Sequence, residues 1–263
     1  MHVWSVANQK GGVGKTTTVV TVAGLLAEVG YRVLLVDLDP HGSLTSYFGY
    51  DPDELEHSVY DLFATKHKIN REGVERLLLK SSHDRIDLIP ASTAMATLER
   101  KAIGEEGMGL QVAKALAQVR DSYDYVLIDS PPVLGVLMVN ALAACQHLLV
   151  PVQTEFLALK GLERMVRTIS MINRARSKSK KLSFTIIPTF YDRRTQASVS
   201  SLRELHNKYP NEISNAVIPV DTKFRNASIR GLVPSVMDSS SRGVHSYARL
   251  LRSLLERQKQ EVL

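Results

Sequence analysis

Only one cysteine, Cys145, occurs in 263 residues. A lone thiol closes no intrachain disulfide and builds no all-cysteine zinc or iron–sulfur cage, so one chain excludes both classes. Long apolar runs are missing too. The longest, Val133–Ala144, is about a dozen residues and contains Asn140, short of the ~18–20 needed to span a bilayer. Integral membrane association is not expected. No basic start followed by an apolar core is present, because Asn8, Gln9 and Lys10 follow one short apolar stretch. A secretory leader is therefore not expected, and the reading is a cytoplasmic chain. Neither an internal repeat nor a low-complexity tract breaks the sequence. The 44% hydrophobic and 23% charged content is that of a globular chain, which at this size buries ~70–75% of its unfolded surface.

Charge is shared unevenly. Residues 1–150 hold 13 Lys/Arg against 18 Asp/Glu, a balance of −5, whereas 151–263 hold 20 against 9, a balance of +11. A basic C-terminal part points to a polyanionic partner, nucleic acid or an acidic membrane surface, with a solvated basic face as the alternative.

Short β-branched runs alternate with helical stretches, the pattern of βα units around a mostly parallel sheet. Strands are predicted at Val3–Ala7, Arg32–Asp37, Ile86–Ile89, Tyr125–Asp129, His147–Val152, Ser183–Pro188 and Ala216–Pro219. Most are nearly continuous apolar runs, as strands covered on both faces are. Helices are predicted at Lys15–Val29, Gly109–Asp121, Leu157–Arg176, Ala197–Tyr209 and Ser246–Lys259, with short helices in the charged stretch Gly49–Asp84. The basic run Arg174–Lys181 reads as a surface connection. The expected fold is α/β, a three-layer αβα arrangement, as one domain over residues 1–263.

The first strand runs into Asn8-Gln9-Lys10-Gly11-Gly12-Val13-Gly14-Lys15-Thr16-Thr17, and a helix follows. Strand, glycine-rich turn and helix form the context of a P-loop. Glycines let backbone N–H groups converge on phosphate oxygens, and the helix N-terminus adds its dipole. Lys15 is placed to reach the β- and γ-phosphates of ATP, and the Thr16 hydroxyl to ligate Mg²⁺. Two apolar strands end in carboxylates, Asp37-Leu38-Asp39-Pro40 and Asp129-Ser130-Pro131-Pro132. Ligands of parallel sheets bind at such strand ends, and Asp129 reads as the second magnesium-directed group.

The loop departs from G-x-x-x-x-G-K-[ST]: Gln9 replaces the first glycine and an extra lysine, Lys10, follows. With K-G-G-x-G-K-T and the two acidic segments, the chain resembles the ParA/MinD family of dimerising ATPases, along essentially its whole length. The resemblance implies a P-loop NTPase fold, slow partner-stimulated ATP hydrolysis with Mg²⁺, and an ATP-dependent homodimer. It implies that Lys10 crosses the dimer to the partner's nucleotide, that Asp39 orients the attacking water and that Asp37 supports the magnesium site. Gly11, Gly12, Val13, Gly14, Lys15, Thr16 and Thr17 line the phosphates, while Ile187–Thr195 and Ile218–Arg225 resemble adenine-flanking segments. Pro188, Thr189, Pro219 and Asp221 are thus adenine candidates.

Branches of the family separate on simple features. The nitrogenase iron protein needs two bridging cysteines per subunit, and one is present. A MinD-like membrane helix would use the C-terminal stripe Tyr247, Leu250, Leu251, Leu254 and Leu255 with Arg249, Arg252 and Arg257 beside it, but the favoured use of that stripe is a terminal packing face. A dethiobiotin-synthetase-like enzyme fits Lys10 and the basic half poorly. The D-S-P-P segment resembles ParA, and with the first strand at the start an added N-terminal helix-turn-helix domain is not expected. By the same resemblance Arg194 and Lys223 stand at DNA-contact positions, with Arg225 and Arg230 beside them. Lysine at 223 keeps charge but loses the bidentate fork of arginine. Asp39-Pro40-His41-Gly42-Ser43, where ParA proteins read D-P-Q-G-N, and Asp221-Thr222-Lys223-Phe224-Arg225 resemble the ParC subtype, which places chemotaxis arrays at a cell pole. The implied partners are non-specific DNA and a ParB-like or ParP-like activator, at the nucleoid or the pole, with plasmid or chromosome segregation as the second reading.

Overall fold

A computed structural model describes residues 1–64, 69–101, 107–177 and 181–261. In chain order the elements are β1 His2–Val6, α1 Lys15–Glu28, β2 Val33–Asp37, α2 Ser43–Tyr47, α3 Asp61–Ala64, α4 Arg71–Glu75, β3 Leu79–Lys80 and β4 Ile86–Ile89. There follow α5 Met95–Lys101, a 3₁₀ turn at Met108–Leu110, α6 Gln111–Gln118, β5 Tyr125–Asp129, α7 Val136–Ala144 and β6 His147–Gln153. The last are α8 Phe156–Ala175, β7 Ser183–Thr189, α9 Gln196–Lys208, α10 Lys223–Arg230, α11 Pro234–Met237 and α12 Arg242–Glu261. The sheet order is β3-β4-β2-β5-β1-β6-β7, parallel throughout except for the β3–β4 edge pair.

Successive strand side chains point to opposite faces, and here both faces are apolar, so each strand feeds two cores. Leu34, Val36, Val126, Ile128, Leu148 and Val150 face α6, α7 and α8. Val33, Leu35, Leu127 and Leu149 face α1 and α12. The three-layer αβα fold follows from that alternation. Helix α1 lies deep, buried from Thr18 to Ala27. It passes so close to the α10–α11 connection that a Cβ on Gly24 would lie 2.8 Å from Val233 Cβ. Tyr247, Leu250, Leu251 and Leu254 of α12 belong to the same core. One stripe cannot both line this core and dip into a bilayer, so the MinD-like membrane alternative loses its apolar face. Among the described residues no helix is long and apolar enough to cross a membrane.

Three local expectations are corrected. Ala216–Pro219 is not a strand: the Ile218 N–H donates to the Pro188 carbonyl at 2.8 Å and the Ile218 carbonyl accepts from the Tyr191 N–H at 3.0 Å, but Pro219 has no N–H to extend a ladder. Helix α7 fills the apolar run noted above, and the adenine-flanking segment Ile218–Arg225, expected as a loop, ends in the first turn of the helix Lys223–Arg230. The basic connection is not only surface, since the Arg176 guanidinium donates to the Leu142 and Cys145 carbonyls and caps the end of α7. Its residues 178–180 lie outside the described residues.

Candidate functional site

The phosphate loop hangs between β1 and α1. Asn8 anchors it, its Nδ2 donating to the Pro151 carbonyl at 2.8 Å and its Oδ1 accepting from Lys10 N–H at 3.0 Å. Gly12 and Gly14 turn the chain with φ of +71° and +91°, conformations that side chains with a Cβ resist. No side chain caps the N-terminus of α1 and no acidic residue stands in its first turn. Its free N–H groups and positive dipole end are left for an anion. Lys15 is 8% exposed and its charge acts on Asp129.

Beside the loop, β2 and β5 pair in register so that Asp37 and Asp129 are neighbours at the C-terminal ends of the strands. Thr16 Oγ1 donates to Asp129 Oδ2 at 2.6 Å, while Asp129 Oδ1 is buried without a hydrogen-bond partner. Burial, reinforced by the charge of Asp37, pushes the Asp129 carboxyl well above the usual range. Burial pushes Asp37 up as well, against the hydrogen bonds it accepts from Thr45. Two buried carboxylates side by side and an orphaned acceptor call for a cation. Among the described residues no three His, Cys, Asp or Glu side chains form a metal cluster. The donor set instead suits Mg²⁺, which takes one or two carboxylates together with phosphate oxygens and water.

Asp37 has both oxygens occupied. Oδ1 accepts from Asp39 N–H at 3.1 Å; Oδ2 accepts from Thr45 N–H at 2.9 Å and Thr45 Oγ1 at 2.8 Å. It therefore ties down the segment leading into α2 rather than standing open. Asp39 lies at the edge of this cluster, with Oδ1 bonded to the His41 amide and ring. Lys10 points away from the cradle: its ammonium pairs with Glu155 and donates to Gln153 Oε1 at 3.2 Å, at the β6–α8 turn.

A cavity of about 350 Å³ adjoins the loop, lined in part by Gly14, Thr17, Thr189, Pro219 and Asp221. Pro188 is not part of the lining; it is buried inside β7. Thr189 Oγ1 donates to the Val13 carbonyl at 2.9 Å, joining β7 to the loop. The Asp221 carboxylate serves the frame, accepting from Lys223 N–H at 2.9 Å and Gly243 N–H at 3.0 Å. Sequence reasoning missed the aromatic walls Tyr47, Phe190, Phe224 and Tyr247. Phe190 has φ of +52°, a strained value for a bulky residue, and its ring lies 3.6 Å from where a Gly14 Cβ would stand. Phe190 and Phe224 fall within the two segments that resemble adenine-flanking ones, which was the available signal; Tyr47 and Tyr247 had none.

The four basic candidates do not form one free patch. Arg194 is held by Asp192, Nη2 to Oδ2 at 2.7 Å, and holds that carboxyl down at about 2. Lys223 Nζ pairs with Asp238 at 3.0 Å, Arg225 lines the cavity and Arg230 stands in the last turn of α10. A separate groove of about 780 Å³ runs along α12 past Arg242, His245, Arg249 and Arg252. The sequence sets Arg249 and Arg252 beside the α12 stripe; that Arg242 and His245 extend them into one row, at i, i+3, i+7, i+10 spacing on one helix face, was not read from it.

Residues 1–184 match the family model AAA_31, an AAA domain. The chromosome-partitioning ATPase Soj of Treponema pallidum is 34% identical over 253 residues, covering 96% of each chain. The sporulation initiation inhibitor protein Soj of Bacillus subtilis is 32% identical over 250 residues, covering 95% of this chain and 96% of its own. A solved Mycobacterium smegmatis protein, described as cobyrinic acid a,c-diamide synthase with bound ATP analogue and magnesium, is 34% identical with a TM-score of 0.82. It covers 98% of this chain and 96% of its own. Extended over nearly all its length by these relatives, the chain belongs to the ParA/MinD family of ATPases.

Proposed function

We propose that this chain is an ATP-driven partitioning switch: ATP closes a homodimer that holds a cargo or surface, and slow, partner-stimulated hydrolysis releases it. The observation that carries the reading is the convergence of an uncapped α1 N-terminus, buried Lys15, and the Thr16–Asp129 pair with its unpartnered Oδ1. Gly11 to Thr17 cradle the phosphates, and Lys15 balances β/γ charge. Thr16 and Asp129, with Asp37 supporting them, would hold Mg²⁺, which would supply charge neutralisation at the phosphates. Asp39 orients the attacking water, and Lys10, released from Glu155, adds positive charge across the dimer. The base occupies the aromatic cavity beside Thr189 and Pro219.

In this reading the dimer holds non-specific DNA through its basic half and answers to a ParB-like or ParP-like partner. The segments at His41 and Lys223 favour a chemotaxis array at the cell pole as the cargo; the name of the Treponema pallidum relative, a chromosome-partitioning ATPase, favours DNA segregation. The Mycobacterium smegmatis relative raises a synthase reading, which ATP turnover without any organic acceptor would set aside. The deciding experiment compares ATP binding, light scattering and hydrolysis. Lys15→Ala loses ATP binding, Lys10→Ala binds ATP without dimerising, and Asp39→Ala dimerises without turning over. A Lys10→Ala protein that dimerises normally refutes the cross-subunit role.

A further inference from the structure

His41 stands where the resemblance to ParA proteins places a glutamine, and its surroundings give it a task. The backbone from Asp39 to Gly42 is a β-turn closed by Gly42 N–H donating to the Asp39 carbonyl at 2.8 Å. Pro40 at the second position presets the bend. Inside the turn the Asp39 carboxylate folds back over the chain. Its Oδ1 accepts from His41 N–H at 3.1 Å and lies 2.8 Å from His41 Nδ1. No described residue donates to Oδ2. The carboxylate is 13% exposed and the imidazole 82% exposed, so this bond is what holds the ring against the turn.

We propose that His41 is a positioning residue for the Asp39 carboxylate: by donating from Nδ1 it fixes Oδ1 and so sets the direction in which Oδ2 accepts a hydrogen bond from water. The inference rests on the reading of Asp39 as the water-orienting group. A carboxylate free to rotate about its last bond presents either oxygen at many angles. One anchored on two donors from the same residue presents a single oxygen in a single geometry. Bases in active sites are commonly oriented by a third group in this way. An exposed pair of this kind adds little to stability, so its effect belongs in the rate of hydrolysis and not in the melting temperature.

Single-turnover ATP hydrolysis, ATP affinity, dimerisation and thermal midpoint are to be measured for wild type, His41→Ala, His41→Asn and Asp39→Ala. Loss of one charge-assisted hydrogen bond predicts His41→Ala about tenfold slower, with ATP affinity, dimerisation and midpoint unchanged. Asparagine places an amide N–H near the Nδ1 position and should recover most of the rate. His41→Ala turning over at the wild-type rate while Asp39→Ala is inactive overturns the role of His41 and leaves that of Asp39 standing. Asp39→Ala at the wild-type rate overturns the reading beneath both. Equal losses in His41→Ala and His41→Asn, or a loss that follows weakened ATP binding, also overturn the proposal, because a donor at Nδ1 is then not what matters.

Discussion

Gly42 stands where the β2 carboxylates pass into α2. With φ of +61° it occupies the left-handed region, and a Cβ there would lie 2.2 Å from Pro52 Cγ and 2.8 Å from Pro52 Cβ. Neither the backbone nor the proline ring can absorb that overlap cheaply. Gly42→Ala is expected to destabilise the protein by about 1–3 kcal/mol in urea unfolding. Hydrolysis should suffer more than ATP binding, because Thr45, three residues on, holds Asp37, whereas the phosphate loop belongs to another segment. Unchanged stability in Gly42→Ala would mean that the turn has a second conformation open to it. At this scale much of the candidate site is legible from sequence: Lys15, Thr16 and Asp129 sit in short motifs whose local geometry follows from the residue types. What Asp37 and Asp221 do with their oxygens is not legible, since their donors Thr45 and Gly243 come from other turns of the chain.

His147 opens β6 and joins it to β7 by side chains as well as backbone. Its Nδ1 lies 2.7 Å from Ser183 Oγ and its Nε2 2.9 Å from Thr185 Oγ1. Burial, reinforced by the charge of Arg257, pushes its pKa down to about 4. An unfolded histidine titrates near ~6.5, so between these values the unfolded chain binds a proton that the folded chain refuses. The stability that neutral His147 contributes is complete above about pH 6.5 and declines as pH falls toward 4, by on the order of 3 kcal/mol. Thermal unfolding of His147→Gln should therefore vary less across this window than that of wild type. Equal slopes would show that His147 is not the group responsible. The elements themselves were largely legible, because six of the seven strands are short apolar runs at turn boundaries. Helix α7 was not: it is apolar all round, and a run without period does not distinguish helix from strand. Pro219 misled in the opposite way, closing a run that pairs through one bridge to Tyr191 and no ladder.

For the whole molecule, the +11 balance of the C-terminal part becomes a prediction about polyanions. The proposed dimer should retain non-specific DNA with ATP and release it with ADP. Its affinity should fall with salt at a slope of about −0.9 per phosphate neutralised. Combined Arg194→Ala and Lys223→Ala changes should flatten that slope. The triple change Arg242→Ala, Arg249→Ala and Arg252→Ala should flatten it further, because Arg194 and Lys223 are already engaged by Asp192 and Asp238, whereas the α12 arginines form no ion pair among the described residues. A gel-shift salt series in both nucleotides checks this; equal binding in ATP and ADP would leave a protein anchor as the better account of localisation. The contact of Lys10 with Glu155 and Gln153 bears on assembly in another way. In a two-fold assembly that exchanges these lysines, both chains abandon their home contact in the same event, so the penalty enters the association constant twice. A surface pair is worth up to ~1 kcal/mol, and two of them raise the dissociation constant by up to ~30-fold. In the proposed dimer, Glu155 would thereby raise the concentration at which the chain begins to pair, acting as a threshold on copy number.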